Sequence, residues 1–357
     1  MKNTKEENKL NHLALYRKYR PDNFKDVIGQ ELALETLQNS IKQNKIYHAY
    51  IFSGDRGTGK TTVARIFAKE IGSTKDDIYE LDAASNNSVD DIRLLTEAAQ
   101  SSTFGSRYKV YILDEAHMLS KSAFNALLKT LEEPPAHVIF ILATTDKHKL
   151  PNTIVSRCQE INFASPEIKT LEKLIEKVSK KEDRTLDKES INLIARQGKG
   201  SFRDTLGILE KVFSTIKENN INKEQVENIF GIVNEKEIFT ILESVCEKDI
   251  NKLLTHFENL NLETSQSIEA AYVETVKMME HALFLRLIKE EEIKKIFDKK
   301  IGEDMIKKLR ELSLKFGNIV SSSNLYKLLQ IEKDLNTNNV EIKKTILIAG
   351  LIRIIEE

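Results

Sequence analysis

The chain has 357 residues, 40% hydrophobic and 31% charged, with 13 Gly and 5 Pro, a composition that suits a soluble, helix-rich globular protein of two or three domains. Its 54 basic and 55 acidic side chains leave a formal charge of −1. Attraction to nucleic acid therefore has to come from a local stripe of cations or from several subunits pooling contacts. Two widely separated cysteines, Cys158 and Cys246, exclude a disulfide framework and a cysteine-rich zinc module. A polar start at 1–11 and the lack of any apolar run of membrane-spanning length point to the cytoplasm and away from a membrane.

In chain order, short apolar β-type runs at 49–53, 78–82, 109–114, 138–143 and 159–163 alternate with helical patterns, which predicts βαβ units around a buried parallel sheet. Beyond Ser165 the β signal fades. Pro166 can open a helix at its first turn, and Leu171, Leu174, Ile175 and Val178 then recur at helical spacing. Asp187, Ser201 and Asn222 each stand before an apolar periodic run in the manner of helix caps. From about Gly231 onward the pattern stays helical, ending in an apolar run at 342–355. The expected organisation is an α/β domain over 1–164, a small helical domain over 165–233 and an all-helical domain over 234–357.

The segment Gly54-Asp55-Arg56-Gly57-Thr58-Gly59-Lys60-Thr61 fits the phosphate-loop pattern G-x-x-x-x-G-K-[ST], and it lies between a strand and a helix expected at 62–71. Glycines let successive N–H groups curl toward phosphate oxygens, and the helix start adds its positive dipole end. Lys60 then faces the β- and γ-phosphates of ATP, Thr61 holds Mg²⁺, and Thr62 continues the site. The strand 109–114 ends in Asp114-Glu115, with Asp114 suited to orient the metal and Glu115 to polarise the attacking water. The following Ala116-His117 brings helicases to mind, but no further helicase motif follows. Thr144, Thr145 and Asp146 close the next strand. A polar residue there can read the γ-phosphate, although Thr at a strand end is also a common turn former.

Taken together, these stretches resemble the AAA+ clamp-loader ATPases. Tyr16-Arg17-Lys18-Tyr19-Arg20-Pro21, with Phe24, Val27, Ile28, Gly29 and Gln30, is similar to the family's adenine-binding segment. Ser156-Arg157-Cys158 is similar to its SRC motif, which implies that Arg157 projects into a neighbouring subunit's ATP site. Gly200-Ser201-Phe202-Arg203-Asp204 is similar to the second sensor, which implies that Arg203 reaches the nucleotide from the lid. Outside that likeness, both arginines read as ordinary surface ion pairs. The run from Phe124 to Pro135, followed by Leu142-Ala143-Thr144-Thr145-Asp146, is similar specifically to the bacterial gamma/tau family of DNA polymerase III.

The resemblance implies an AAA+ phosphate-loop domain, a helical lid and a helical collar. It also implies a pentamer with delta- and delta-prime-like subunits and copies of the chain itself, acting on a sliding clamp and primer–template DNA. Arg93 and Lys129 match positions that touch template phosphates in the family, whereas Asn86 and Ser88 stand where cations are common. Two departures follow. Family members typically carry a four-cysteine zinc module between the phosphate-loop helix and the second strand, but residues 72–77 contain no cysteine, so no zinc is expected. The long tau-type extension is not in this sequence, which makes the reading gamma-like. The rival readings are a branch-migration motor, which needs a winged-helix domain, and a non-hydrolysing delta-prime-like scaffold. Intact Lys60, Thr61, Asp114 and Glu115 argue against the scaffold.

Overall fold

A computed structural model of the chain describes residues 13–231, 234–260, 262, 264–289, 292, 302–337 and 339–356. The polar start at 1–11 and the expected domain limit at 233 lie outside these. By packing, the chain falls into two compact units, Met1–Asn222 and Lys223–Glu357. The first unit thus holds both 1–164 and the helices that follow it up to residue 222.

The first unit runs α1 (Leu15–Lys18), α2 (Glu31–Lys42), β1 (Ala49–Ser53), α3 (Lys60–Glu70), β2 (Ile78–Asp82), α4 (Val89–Ala99), β3 (Lys109–Asp114), α5 (Lys121–Glu132), β4 (Val138–Thr144), α6 (Asn152–Val155) and β5 (Gln159–Asn162). The five strands are all parallel, in the order β2-β3-β4-β1-β5. Side chains alternate across a strand. Tyr50, Phe52, Val110, Ile112, Ile139 and Ile141 therefore bury against Leu37, Val63 and Phe67 of α2 and α3. Ile51, Tyr111, Leu113, Phe140 and Leu142 bury against Ile92, Leu95, Phe124 and Leu127 of α4 and α5. Both faces being covered, the inner strands read as continuous apolar runs rather than alternating ones.

β4 is one residue longer than the apolar run predicts and β5 one shorter, although the Phe163 N–H still donates to the Ser53 carbonyl at 2.7 Å. α3 begins two residues earlier than expected, which places Lys60 and Thr61 in its first turn.

The lid that follows comprises α7 (Ile168–Lys181), β6 (Thr185–Leu186), α8 (Lys188–Gln197), α9 (Phe202–Thr215) and β7 (Asn220–Ile221). Leu171, Leu174, Ile175 and Val178 form the buried stripe of α7. Pro166 lies ahead of the N-cap Glu167 rather than in the first turn. Asp187 caps α8 by accepting from the Ser190 N–H at 2.7 Å, and Ser201 caps α9 by accepting from the Asp204 N–H at 3.1 Å. The parallel pair β6–β7 was not legible: two residues per strand are too few to carry a period.

The second unit is helical: α10 (Lys223–Phe230), α11 (Glu235–Cys246), α12 (Ile250–Asn259), α13 (Ser265–Leu287), α14 (Glu303–Lys315), α15 (Ser322–Asp334) and α16 (Val340–Glu356). Ile241, Phe257, Met279, Leu328, Leu347 and Leu351 sit in its single apolar core. The Tyr272 hydroxyl inside that core donates to the Leu328 carbonyl at 3.1 Å.

Candidate functional site

In a parallel sheet the C-terminal ends of the strands open onto one edge, where ligands bind. β1 ends there in the phosphate loop, β3 in Asp114, β4 in Thr144 and β5 in the link to the lid. The loop's glycines have separate reasons. A side chain at Gly54 (φ +148°) would strike the Phe163 carbonyl oxygen at 2.1 Å, and one at Gly57 (φ +76°) would strike Ser201 Oγ at 2.0 Å. The loop is thus packed directly against the start of the lid helix α9, and the Phe202 N–H donates to the Gly57 carbonyl at 2.9 Å.

Lys60 is buried, and its ammonium donates to the Gly54 and Asp55 carbonyls, both at 2.8 Å. Burial lowers its pKa from the ordinary lysine value, opposed by Glu115, Asp114 and Asp55. An ammonium held on two carbonyls among three carboxylates is a cation stored for an anion. Thr58 and Thr62 flank it, Thr58 donating to the Asp55 carbonyl at 2.9 Å, while Arg56 is exposed.

Thr61 Oγ1 donates to Asp114 Oδ2 at 2.9 Å, so the hydroxyl and carboxylate expected to hold a metal lie side by side. The all-oxygen set fits a hard cation such as Mg²⁺. Glu115 follows in a left-handed conformation (φ 49°), its N–H bonded to Asp114 Oδ1 at 3.1 Å. Thr145 Oγ1 donates to Glu115 Oε2 at 3.2 Å. Thr144, expected against the nucleotide, is fully buried; its hydroxyl meets His117 Nδ1 at 3.2 Å and accepts from the Asp146 N–H at 3.1 Å.

On the lid side, the Arg203 guanidinium lies over the Tyr16 ring, 5.0 Å from its centroid. Arg17, and less strongly Arg203, draw the Tyr16 hydroxyl below its ordinary pKa. Arg20 is half-buried and held below the usual guanidinium value by burial and by Arg65. Pro21, Val27, Ile28 and Gly29 are half-buried beside it, with Gly29 approaching Thr170 of α7. The segment expected to bind adenine is anchored to the lid: Lys18 pairs with Glu182 at 2.6 Å and the Tyr19 hydroxyl donates to the same carboxylate.

Two polar residues make bonds in this junction that the sequence did not foretell: Gln30, read only as part of the expected adenine-binding segment, and Ser165, given no role. Gln30 Nε2 donates to the Thr58 and Ala164 carbonyls at 3.2 and 2.7 Å, and Ser165 Oγ donates to Asp55 at 2.5 Å. Both tie the loop to the hinge before α7, and no spacing rule marks such bonds.

Arg157 lies apart from these groups, paired with Glu132 at 2.7 Å and donating to the Thr153 carbonyl at 2.8 Å. Burial pushes the adjoining Cys158 thiol up to about 12, so it is no nucleophile at neutral pH. Arg93 and Lys129 are exposed on the mutually packed helices α4 and α5, Arg93 paired with Asp90 at 3.2 Å.

The 72–77 link, where a zinc module is typical of the family, contains no cysteine. Its buried acid, Asp77, spends its carboxylate on the N–H groups of Phe104 (3.0 Å) and Ser106 (3.3 Å). No cluster of three or more His, Cys, Asp or Glu suited to a metal occurs among the described residues. None of the described helices is long and apolar enough to cross a membrane.

With this geometry in hand, similarity to known proteins becomes informative. The DNA polymerase III subunit gamma of Buchnera aphidicola subsp. Schizaphis graminum is 36% identical over 337 residues, covering 86% of this chain and 90% of that protein. The chain belongs to the DNA polymerase III gamma/tau family. The Bacillus subtilis subunit tau is 40% identical over 296 residues, 77% of this chain. This gamma/tau chain spans only about half of that tau relative's length (51%) and of the Mycoplasma genitalium gamma/tau subunit's (49%). A family profile described as DNA polymerase III, delta subunit, matches residues 29–87 and 76–167. Among solved structures, the Thermotoga maritima RuvB Holliday junction branch migration motor superposes with a TM-score of 0.51 at 22% identity, over 64% of this chain and 80% of that one. At that identity the likeness speaks for the AAA+ fold alone.

Proposed function

We propose that this gamma/tau-family chain is the ATP-hydrolysing subunit of a bacterial clamp loader, using ATP to open a sliding clamp and place it on primer–template DNA during replication in the cytoplasm. The observation that carries the reading is the convergence of Lys60, the Thr61–Asp114 contact at 2.9 Å and Glu115 on one edge of the sheet. A purely structural scaffold has no use for all four.

The adenine-binding segment (Tyr16, Arg20, Pro21, Val27, Ile28, Gly29) and the loop 54–62 bind ATP. Lys60 leaves its loop carbonyls for the phosphates, and Arg203 approaches from the lid. Thr61 and Asp114 hold Mg²⁺, which when bound neutralises charge on the phosphate oxygens. Glu115 takes a proton from the attacking water as the new P–O bond forms, and ADP leaves with the electron pair of the broken bond. Thr145 steadies that carboxylate.

Arg157 acts in a neighbouring subunit's site, which makes turnover depend on assembly with further copies and with delta- and delta-prime-like subunits. Residues 234–357 hold the assembly together. Arg93 and Lys129 contribute phosphate contacts, which are salt-dependent and blind to sequence. The domain limits are 1–164, 165–233 and 234–357, and the chain uses no zinc.

ATP binding and turnover of two variants test the reading. Lys60→Ala loses nucleotide binding. Glu115→Gln binds ATP but turns over about 10²–10⁴-fold more slowly, because an amide accepts no proton. Parental turnover by Glu115→Gln in the assembled complex would remove the hydrolytic role.

A further inference from the structure

We propose that His117 is a positioning residue for hydrolysis, tying the Glu115 carboxylate to Thr144 and, through Thr144, to the phosphate loop; this rests on the ATPase reading above. His117 stands in the 3₁₀ turn Ala116–Met118 that follows Glu115, a turn closed by the Met118 N–H on the Glu115 carbonyl at 2.8 Å. Its side chain is only 11% exposed, so the ring is sequestered in the site.

One ring nitrogen serves two partners. His117 Nδ1 lies 3.2 Å from Thr144 Oγ1 and 3.5 Å from Glu115 Oε2. Thr145 donates to that same Oε2 at 3.2 Å, so one carboxylate oxygen is approached from two sides. Among the described residues, Oε1 has no hydrogen-bond partner and is the oxygen left to take a proton. With the hydrogen on Nδ1, the ring donates to Thr144 Oγ1 and turns the positive end of that N–H bond toward Glu115 Oε2.

Thr144 carries the connection onward. It has no exposed surface, its hydroxyl also accepts the Asp146 N–H, and its carbonyl accepts the Gly54 N–H at 3.3 Å. An unbroken line thus runs from Gly54 through Thr144 and His117 to Glu115. Glu115 occupies a left-handed conformation (φ 49°) that costs a non-glycine residue energy, and a side chain on such a turn keeps its aim only if held.

The test is ATP turnover by the full chain assembled with its partner subunits, clamp and primed DNA, comparing His117→Ala, His117→Asn, His117→Gln and Glu115→Gln. His117→Ala lowers kcat by about 10–100-fold while the KM for ATP stays nearly constant, because misaim of a catalytic group acts on the rate step. His117→Asn recovers most of the loss, since its amide nitrogen branches from Cγ as Nδ1 does. His117→Gln, whose amide matches the position of Nε2, does not. Parental kcat for His117→Ala beside an inactive Glu115→Gln removes His117 and leaves the ATPase reading intact. Equal loss in the Asn and Gln variants marks a merely structural ring and also overturns the proposal. Parental turnover by Glu115→Gln removes the ATPase reading, and His117 with it.

Discussion

Arg157 closes on Glu132 of its own chain, Nη2 to Oε1 at 2.7 Å, while Nη1 holds the Thr153 carbonyl at 2.8 Å. Both side chains are partly solvated, and such pairs are worth about 0–1 kcal/mol, little enough for an incoming subunit to replace. Arg157→Ala is therefore expected to change unfolding stability by less than about 1 kcal/mol and to leave the isolated chain's ATP affinity unaltered. In the assembled complex it should cut DNA-stimulated hydrolysis by about 10³–10⁵-fold, the contribution of a finger supplied in trans. Mixing Lys60→Ala subunits with Arg157→Ala subunits tests this, since activity should survive only where an intact site faces an intact arginine.

The Thr61–Asp114 contact predicts a metal-specific defect. Asp114→Asn should bind ATP as well as the parent in the presence of a chelator, and should lose about 10–100-fold of the Mg²⁺ affinity of the nucleotide complex. Calorimetric titration of Mg²⁺ into the ATP-loaded chain reads this directly. An unchanged Mg²⁺ affinity would release Asp114 from its role.

Glu182 pins the N-terminal segment proposed to bind adenine to the lid through Lys18 and Tyr19. Burial alone raises the Glu182 carboxyl, but hydrogen bonds from Lys18 and Tyr19 outweigh it and bring the pKa below the ordinary value of 4.5. A depressed carboxylate contributes stability above its unfolded-state pKa and loses it as pH falls through the folded one. The pin should thus be fully present at neutral pH and fade only in acid below 4.5. Glu182→Ala loses the charge-assisted bonds from both Lys18 and Tyr19 and should weaken ATP binding by about tenfold or more at neutral pH, with kcat at saturation little changed. An equal ATP affinity in the variant would break the link.

Asp77 braces the 72–77 link by accepting from the Phe104 and Ser106 N–H groups. Asp77→Ala strands the Phe104 and Ser106 amides and should cost about 1–3 kcal/mol in denaturant unfolding. Elemental analysis of the purified chain should find no stoichiometric zinc, and chelators should leave the unfolding midpoint in place. One zinc per chain would contradict this.

Much of the sheet was legible because β1, β3 and β4 are covered on both faces, so their residues announce themselves as unbroken apolar runs. The phosphate loop and Asp114-Glu115 were legible for a related reason: chemistry demands those residue types at fixed offsets beside a strand. The polar bonds of Gln30, Ser165 and His117 were not legible. Their partners Ala164, Asp55 and Thr144 lie 134, 110 and 27 residues away, and no local pattern encodes such long-range polar bonds. The division of labour between Thr144 and Thr145 has a similar cause. Adjacent residues on a strand end face opposite ways, and only the packed structure shows that Thr145 reaches Glu115 while Thr144 turns to His117.

The central claim, an ATP-driven clamp loader, is tested most directly by retention of a labelled sliding clamp on primed circular DNA. The chain is combined with delta- and delta-prime-like subunits, clamp and ATP, and the DNA is separated from free clamp. Clamp should remain on the DNA only with ATP and the parental chain, with none above background for Lys60→Ala. Equal retention without ATP, or with Lys60→Ala in place of the parental chain, would contradict it.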